Sequence, residues 1–149
     1  MKKKALFSGT FDPFTIGHDA IVKRSFSIAD ELIIAIGNNP SKNTLFSLKE
    51  RLGNIHKIYE KIDCIHVTFY DILTIDFAKQ CGVDFIIRGI RNLNDFEYEK
   101  GMADINRYLS GIETVFLFSE PQYAYISSNL IRELIMFNKD ISNLLPVIK

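Results

Sequence analysis

The sequence predicts a doubly wound α/β domain with a five-stranded parallel sheet and helices on both faces. Five short apolar runs with β-branched or aromatic character recur along the chain, and segments with helical spacing fill the gaps between them. This alternation favours a parallel sheet, because a strand reaches its parallel neighbour through a crossover helix. The architecture is therefore expected to be Rossmann-like, with strands at residues 4–8, 32–36, 65–69, 85–87 and 114–118.

Spacing and capping patterns place the helices between these strands. Val22, Phe26 and Ala29 recur at i, i+4 and i+7 and form one apolar stripe after the first strand. Ser47 stands three residues before Glu50, which is the pattern of a capping box at a helix start. The remaining predictions are a helix over 73–81 ended by Gly82, a second capping box at Asn94 and Glu97, a last helix over 128–138, and an end of the ordered chain at 144–146.

Length, charge and cysteine content limit what the chain can be. Its 149 residues fit a single domain, 1–149, with a sizeable core. The 18 basic and 18 acidic residues give a formal net charge of zero, so no global field favours nucleic acid or an anionic membrane. Cys64 and Cys81 lack metal or redox spacing, and neither a signal peptide nor a membrane span stands out. We therefore expect a cytoplasmic protein with reduced thiols and no nucleic-acid or membrane partner.

Polar side chains with useful chemistry follow the predicted strands. Ligands of an open parallel sheet bind beyond the carboxyl ends of its strands, near the point where the strand order reverses. The residues that follow the strands should therefore converge on one edge of the sheet. In chain order they are Thr10, residues 38–42, Tyr70 with Asp71, residues 88–91 and residues from 119 onward.

Two predicted helix starts and three cations at this edge favour an anionic ligand. The helix that opens near His18 and the one that opens at 127–129 both offer free backbone N–H groups and a positive dipole end. Arg88 ends a buried-looking apolar run and needs an anionic partner. Lys42 and Arg91 add further positive charge. This combination predicts phosphate binding.

Each of these side chains also has an ordinary structural interpretation. His18 could cap a helix at the surface, and Lys42 could be a solvated lysine. Arg91 could pair with Asp95 or Glu97. No catalytic triad order, carboxylate pair, cysteine nucleophile, Walker lysine loop or dinucleotide glycine fingerprint is present, and no metal site made by protein side chains is expected. What remains is phosphoryl or nucleotidyl transfer by positioning and charge stabilisation.

Six short motifs resemble those of one known family. They are GTFDP at 9–13, TIGH at 15–18, PSK at 40–42, RGIR at 88–91, DFEYE at 95–99 and ISS at 126–128. In this order they are similar to the bacterial phosphopantetheine adenylyltransferase family of the nucleotidyltransferase superfamily, whose signature after the first strand is T/H-x-G-H. The RGIR and DFEYE blocks are the specific part of the resemblance, and the motifs span nearly the whole chain.

The resemblance implies a reaction and a role for each matching position. The reaction is direct in-line transfer of the adenylyl group of ATP to 4′-phosphopantetheine, giving dephospho-coenzyme A and pyrophosphate in the penultimate step of coenzyme A biosynthesis. Catalysis is assigned to Thr10, His18 and Lys42. Phosphopantetheine contacts are assigned to Thr10, Lys42, Thr74 and Arg88. ATP contacts are assigned to Thr10, Phe11, His18, Gly89, Ile90, Arg91, Glu99, Tyr123, Ala124, Tyr125, Ile126, Ser127, Ser128 and Asn129.

The resemblance also implies partners and points to departures from the family pattern. Magnesium would accompany ATP, the chain would assemble as a homo-oligomer, a hexamer, and coenzyme A would act as a feedback inhibitor. Asn129 stands where the family usually has Ser or Thr, although Asn is still a good helix cap. The chain also stops soon after Leu145 and Pro146, short of the family's usual terminal helix. We therefore expect an altered phosphate contact and altered packing of the last helix.

Three other functions stay open on the sequence. A sister enzyme, such as a nicotinamide-nucleotide adenylyltransferase or a glycerol-phosphate cytidylyltransferase, usually carries His where Thr15 stands. A nucleotide-binding regulator of this fold would bind ATP without releasing pyrophosphate. A fragment of an aminoacyl-tRNA synthetase is disfavoured by the single-domain length and the neutral charge, because RNA partners favour basic surfaces.

Overall fold

The computed structural model describes residues 1–149 as strands that alternate with helices. The strands are β1 (Lys4–Gly9), β2 (Glu31–Gly37), β3 (Ile65–Tyr70), β4 (Phe85–Ile90) and β5 (Glu113–Phe118). The helices are α1 (Ile16–Ser25), α2 (Leu48–Tyr59), α3 (Thr74–Cys81), α4 (Leu93–Ser110) and α5 (Ser128–Met136), with 3-10 turns at Pro121–Tyr123 and Ser142–Leu144. All five predicted strands are therefore confirmed, and β4 runs three residues further than the apolar run at 85–87 indicated.

The five strands form one parallel sheet in the order β3-β2-β1-β4-β5. The chain winds outward from β1 through β2 to β3, and then crosses back to place β4 and β5 on the other side of β1. Ala5 of β1 lies in register with both Leu32 of β2 and Phe85 of β4. The predicted doubly wound fold is confirmed, and its strand order reverses between β1 and β4, where a ligand site is expected.

Both faces of the sheet are covered, as the continuous apolar strands require. Because successive strand residues point to opposite faces, Ala5 and Phe7 join the larger core cluster while Leu6 joins the smaller one. The larger cluster includes Val22 of α1, and the smaller one includes Ile75 of α3. The core therefore lies on both sides of the sheet.

Of the two predicted capping boxes, the one at Ser47 is confirmed and the one at Asn94 is wrong. Ser47 is the N-cap of α2 and forms the predicted capping box with Glu50. The box predicted at Asn94 is wrong, because the N-cap of α4 is Asn92, whose side chain accepts from the backbone N–H of Asp95 at 2.9 Å. Asn94 lies inside the first turn of α4. Both asparagines precede an acidic residue by three positions, so the local pattern fits either one.

The ends of α1 and of the chain also differ from the predictions. α1 ends at Ser25, so Ala29 is buried in the turn that follows the helix. The expected end of ordered structure at 144–146 is wrong, because Lys149 packs back onto the domain. Its backbone N–H donates to the carbonyl of Ile58 at 3.2 Å, and its Nζ donates to the buried carboxylate of Asp19 at 3.0 Å.

α4 is the longest helix, with 18 residues, and none of them is buried. Tyr98, Met102, Ile105 and Leu109 recur once per turn and are 68%, 42%, 46% and 52% exposed. We call these four residues the α4 stripe. Neither α4 nor any other helix combines the length and the apolar character that a membrane crossing needs.

Candidate functional site

Two adjoining cavities open at the carboxyl edge of the sheet, beside the strand-order reversal. The larger measures about 450 Å³ and extends toward α3 and α4, and the smaller measures about 300 Å³ and extends toward α1 and α5. The residues that line both cavities are Ser8, Gly9, Thr10, Arg88 and Glu99. Their shared lining comes from β1, β4 and α4, so the two cavities form one cleft with these residues at its centre.

The β1–α1 loop bends sharply into this centre. Phe11 adopts a left-handed backbone with φ 50°, which is uncommon for a residue with a side chain. Gly9 leaves room for it, because a Cβ at Gly9 would stand 2.9 Å from the Phe11 ring. The bend buries the Phe11 ring and leaves the backbone and hydroxyl of Thr10 lining both cavities.

His18 lies in the first turn of α1 and is held in one tautomer. Thr15 is the N-cap, and its hydroxyl accepts from the His18 backbone N–H at 3.2 Å. In return, the imidazole Nδ1 accepts from the Thr15 backbone N–H at 2.9 Å. An Nδ1 that accepts a backbone N–H carries no proton, so the neutral ring keeps its proton on Nε2. His18 therefore both caps the helix and offers an N–H donor to the smaller cavity, which it lines.

The surroundings of His18 keep it neutral. The ring packs against Phe11 and Phe14, with centroids 5.0 and 5.1 Å away. Burial, followed by the positive charges of Arg91 and Arg88, lowers the pKa of His18 from its usual value to about 3. At neutral pH the side chain is thus a hydrogen-bond donor without a charge.

This shift predicts a stability that depends on pH. The folded pKa of His18 lies below the unfolded value of about 6.5, so the unfolded chain binds more protons between the two values. The contribution of His18 to stability is therefore complete above about pH 6.5 and is lost as the pH falls toward the folded pKa, by at most about 1.4 kcal/mol per pH unit. Between pH 7 and pH 5, the free energy of unfolding measured in urea should fall by more for the wild type than for His18→Gln. Equal losses would contradict the shift.

Lys42 reaches the centre of the cleft from the loop that follows β2. Its Nζ donates to the hydroxyl of Thr10 at 3.2 Å, although the side chain is exposed. The two residues are 32 positions apart in the sequence, and the adjacent strands β1 and β2 bring them together. Lys42 is therefore not simply a solvated surface lysine.

Arg88 is half-buried at the centre and already has an anionic partner. Its Nε and Nη2 donate to the two carboxylate oxygens of Glu99 at 2.9 and 2.7 Å, and Nη1 donates to the carbonyl of Ser8. Burial opposes the charge on Arg88, but the hydrogen bonds and charge of Glu99 outweigh it and raise the pKa of the guanidinium. The anion that Arg88 needs is supplied within the chain by Glu99 of α4, and a role for Arg88 in binding a ligand stays a prediction.

Arg91 and the start of α5 surround the smaller cavity. Arg91 pairs with Asp95 at 3.1 Å, so of the two alternatives for an ion pair, Asp95 is correct and Glu97 is not. Ser127 is the N-cap of α5, so Asn129 does not cap this helix. The Asn129 side-chain oxygen instead accepts from Arg132 at 3.2 Å.

The cleft gathers most of the predicted site residues. Thr10, Lys42, Thr74 and Arg88 all line the larger cavity. The smaller cavity is lined by Thr10, Phe11, His18, Gly89, Arg91, Glu99, Tyr123, Ile126, Ser127, Ser128 and Asn129. Three predicted residues line neither cavity: Ile90 is buried in the core, and Ala124 and Tyr125 lie beside the cleft.

Arg132 and Arg51 are polar residues of this region that sequence reasoning missed. Arg132 lines the smaller cavity and donates to the carbonyl of Asp12 at 2.9 Å. The sequence signal for Arg132 was its position one turn after Ser128, on the face of α5 that points to the β1–α1 loop. Arg51 donates to the carbonyl of Thr10 at 2.8 Å. Its signal was a charged residue one turn before Ile55, in the apolar stripe of α2.

The acidic groups of the cleft do not form a metal site. Asp12 accepts the backbone N–H groups of Leu45 and Phe46 at 2.8 and 2.9 Å. Glu99 and Asp95 are paired with arginines. No group of three or more His, Cys, Asp or Glu side chains is placed to hold a metal ion. The donor set of the cleft, which is mainly arginine, lysine, hydroxyl and backbone N–H, suits an anion instead.

Comparison with known proteins shows what the chain is similar to. Residues 6–134 match the model of the family described as cytidylyltransferase-like. A phosphopantetheine adenylyltransferase of Bacteroides fragilis is 52% identical over 144 residues, which cover 97% of this chain and 96% of that protein. One of Bacteroides thetaiotaomicron is 53% identical over 97% of this chain and 95% of that protein. The structure of a putative nicotinate-nucleotide adenylyltransferase from Vibrio parahaemolyticus shares the fold, with a TM-score of 0.67 at 18% identity over 99% of this chain and 95% of that one.

Proposed function

The chain belongs to the cytidylyltransferase-like family and, within it, to the phosphopantetheine adenylyltransferases, and we propose how its two cavities divide the substrates of that reaction. The reaction transfers the adenylyl group of ATP to 4′-phosphopantetheine and gives dephospho-coenzyme A and pyrophosphate. ATP occupies the smaller cavity and phosphopantetheine the larger. The observation that carries this assignment is the shared lining at Thr10 and Arg88, where two substrates in adjoining cavities would meet.

The shape and lining of each cavity support this division. The smaller cavity has arginines, hydroxyls and the N-terminus of α5, which suit the outer phosphates of a nucleotide. The larger cavity continues past Thr74 and Met102, and its lining contains both polar and apolar side chains. A pantetheine arm has the same mixture, because its amides are separated by short hydrocarbon segments. Its phosphate would lie at the near end, beside Lys42 and Arg88.

Three side chains would act on the α-phosphate of ATP during in-line attack. The Nε2–H of His18 would donate to an α-phosphate oxygen without adding a charge to the ground state. Lys42 and the Thr10 hydroxyl, already 3.2 Å apart, would orient the attacking phosphate and stabilise the negative charge that develops. No side chain needs to act as a nucleophile or base, because the attacking phosphate is already an anion.

Magnesium would arrive with ATP and not with the protein. The carboxylates that line the smaller cavity, Asp12, Asp95 and Glu99, are occupied by backbone N–H groups or arginines. Mg²⁺ is commonly held by substrate phosphates with few protein ligands, and its chemistry is to neutralise phosphate charge. The protein's own contribution to binding the triphosphate is then Arg91, Arg132 and the hydroxyls of Ser127 and Ser128.

Pyrophosphate release tests the function directly. Purified protein with ATP and magnesium should release pyrophosphate only when 4′-phosphopantetheine is added. Release with nicotinamide mononucleotide instead would favour the sister enzyme. ATP binding without release with either acceptor would favour a nucleotide-binding regulator. RNA retained in a filter-binding assay would favour the synthetase fragment.

The α4 stripe supports the proposal of a homo-oligomer, and the proposed size, a hexamer, rests on the family resemblance. An amphipathic helix normally buries its apolar face against its own domain, yet Ile105 and Leu109 are exposed. Tyr98 and Met102 are exposed as well, at the end of the stripe that lines the larger cavity. Contiguous exposed apolar surface of this kind marks an interaction site. The occupant proposed is a second copy of the chain, consistent with a domain of neutral net charge.

Charge placed on the α4 stripe should separate the subunits. The double change Ile105→Glu and Leu109→Glu would bury two carboxylates at the interface, so we expect a monomer or a smaller assembly by light scattering after size exclusion. Lys100→Glu is the matched control, because it changes the net charge by the same amount on the same helix. Identical masses for the double variant and the wild type would exclude this face as the interface.

Coenzyme A inhibition and a cytoplasmic location complete the proposal. Coenzyme A carries the same pantetheine arm and adenylate as the reaction product, so it would fill both cavities and compete with both substrates. The two thiols, Cys64 and Cys81, are not joined in a disulfide. Free thiols are typical of a reducing compartment, which favours the cytoplasm.

A further inference from the structure

Arg51 is a buried cation for which the proposed reaction has no use. It lies on α2 and is 4% exposed. Its Nε donates to the carbonyl of Phe46 at 3.1 Å, and its Nη1 donates to the carbonyl of Thr10 at 2.8 Å. It forms no ion pair with a carboxylate within 4.0 Å. Burying a charge costs free energy when only main-chain carbonyls offset it, so the contacts of Arg51 indicate what the residue does.

Arg51 joins the two loops that make the centre of the cleft. Thr10 belongs to the β1–α1 loop, and Phe46 ends the β2–α2 loop that carries Lys42. Asp12, which is 2% exposed, contacts the same end of the second loop, where its carboxylate accepts from the N–H of Phe46 and of Leu45. Phe46 is therefore held through its carbonyl by Arg51 and through its N–H by Asp12.

The same two loops meet again at the reacting centre. Lys42 donates to the Thr10 hydroxyl, while Arg51 holds the Thr10 carbonyl. A lysine has a long flexible side chain, and its placement depends on a fixed backbone. We infer that Arg51, together with Asp12, is a positioning residue that fastens the β2–α2 loop to the β1–α1 loop and so sets the Lys42–Thr10 pair. The effect on turnover rests on the proposed function.

Arg51→Lys tests this because it keeps the charge and loses the planar fork. A lysine cannot donate to both carbonyls with the same geometry. We expect kcat to fall roughly 10- to 100-fold, the cost of a small misplacement of a catalytic group, with the KM for ATP nearly unchanged. In a Lys42→Ala background, the same substitution should have little further effect on kcat. Losses that multiply instead would mean that Arg51 does not act through Lys42, and would overturn the inference.

Ser47→Ala is the matched control. Ser47 caps the same helix one residue after Phe46, and its hydroxyl accepts from the backbone N–H of Glu50. Its only hydrogen bond with Arg51 joins the two backbones, where the Ser47 carbonyl accepts from the Arg51 N–H at 3.0 Å, and Ser47→Ala keeps that bond. Loss of the hydroxyl loosens the start of α2 and leaves the donors of Arg51 in place, so we expect kcat within about twofold of the wild type. A loss as large as that of Arg51→Lys would show that a looser helix is sufficient, and the inference would fail.

Amide hydrogen exchange gives a readout that needs no turnover. The N–H groups of Leu45 and Phe46 should exchange faster in Arg51→Lys, while those of the central strands stay protected. Unchanged exchange would overturn the inference even if the enzyme activity is as proposed. Conversely, an absence of pyrophosphate release in the wild type would refute the function and leave the loop test standing. If Arg51→Lys does not fold, Asp12→Asn can replace it in both the kcat measurement and the exchange measurement, because Asp12 holds Phe46 through its N–H.

Discussion

His18→Ala should lower kcat by roughly 100- to 1,000-fold while the dissociation constant of ATP changes little. Loss of one preorganised donor at a developing anion costs this much in other enzymes. The neutral Nε2–H of His18 should bind ground-state ATP weakly and the transition state, in which charge builds on the α-phosphate oxygens, strongly. Its removal should therefore lower kcat more than it weakens ATP binding. Steady-state pyrophosphate release and equilibrium ATP binding measure the two effects separately.

His56→Ala is the control, because His56 is an exposed histidine on α2 that faces Glu60 and lies outside both cavities. A His18→Ala variant with weakened ATP binding and an intact kcat would remove His18 from the transition state. The neutral form also predicts the shape of the pH profile. With a pKa near 3 in the free protein, His18 should add no inflection to kcat/KM for ATP between about pH 6 and pH 9.

The sequence was sufficient to predict the sheet because its signals are local. Each strand is a short apolar run, and the carboxyl-end rule then places the following residues at one edge whatever the details of packing. Thr10 and Lys42 reach the same edge for this reason, since they follow neighbouring strands of a parallel sheet. The agreement extends to Ser47, whose cap depends only on the next three residues.

The partners of the buried cations could not be predicted because they are set by tertiary contacts. Glu99 lies 11 residues beyond Arg88, and only the packing of α4 beside β4 makes them a pair. Arg51 interrupts an apolar stripe, which flags it as unusual but does not say what it contacts. The cap at Asn92 is a similar case. Asn92 and Asn94 are equivalent locally, and the contact of the Asp95 carboxylate with the Arg91 backbone N–H, 3.0 Å long, favours the earlier start.

Arg88→Ala is expected to have two large effects, one on stability and one on the acceptor. Glu99 is 12% exposed at its side chain, so loss of Arg88 leaves a buried carboxylate with no cation. Breaking a buried pair in this way costs about 3 kcal/mol of unfolding free energy. If Arg88 also holds the phosphate of phosphopantetheine, the KM for that substrate should rise roughly 10- to 100-fold, the worth of one charged hydrogen bond.

Arg91→Ala provides the comparison for the stability measurement. Its pair with Asp95 is an i, i+4 pair with side chains 33% and 23% exposed, so its loss should cost no more than about 1 kcal/mol in urea unfolding at pH 7. Equal losses for the two variants would mean that solvent screens the Arg88–Glu99 pair. The acceptor effect separates in the same way, because Arg91 lines only the smaller cavity and Arg88 lines both. Arg88→Ala should therefore raise the KM for phosphopantetheine more than that for ATP, and Arg91→Ala should do the reverse. The opposite pattern would mean that ATP binds in the larger cavity and phosphopantetheine in the smaller.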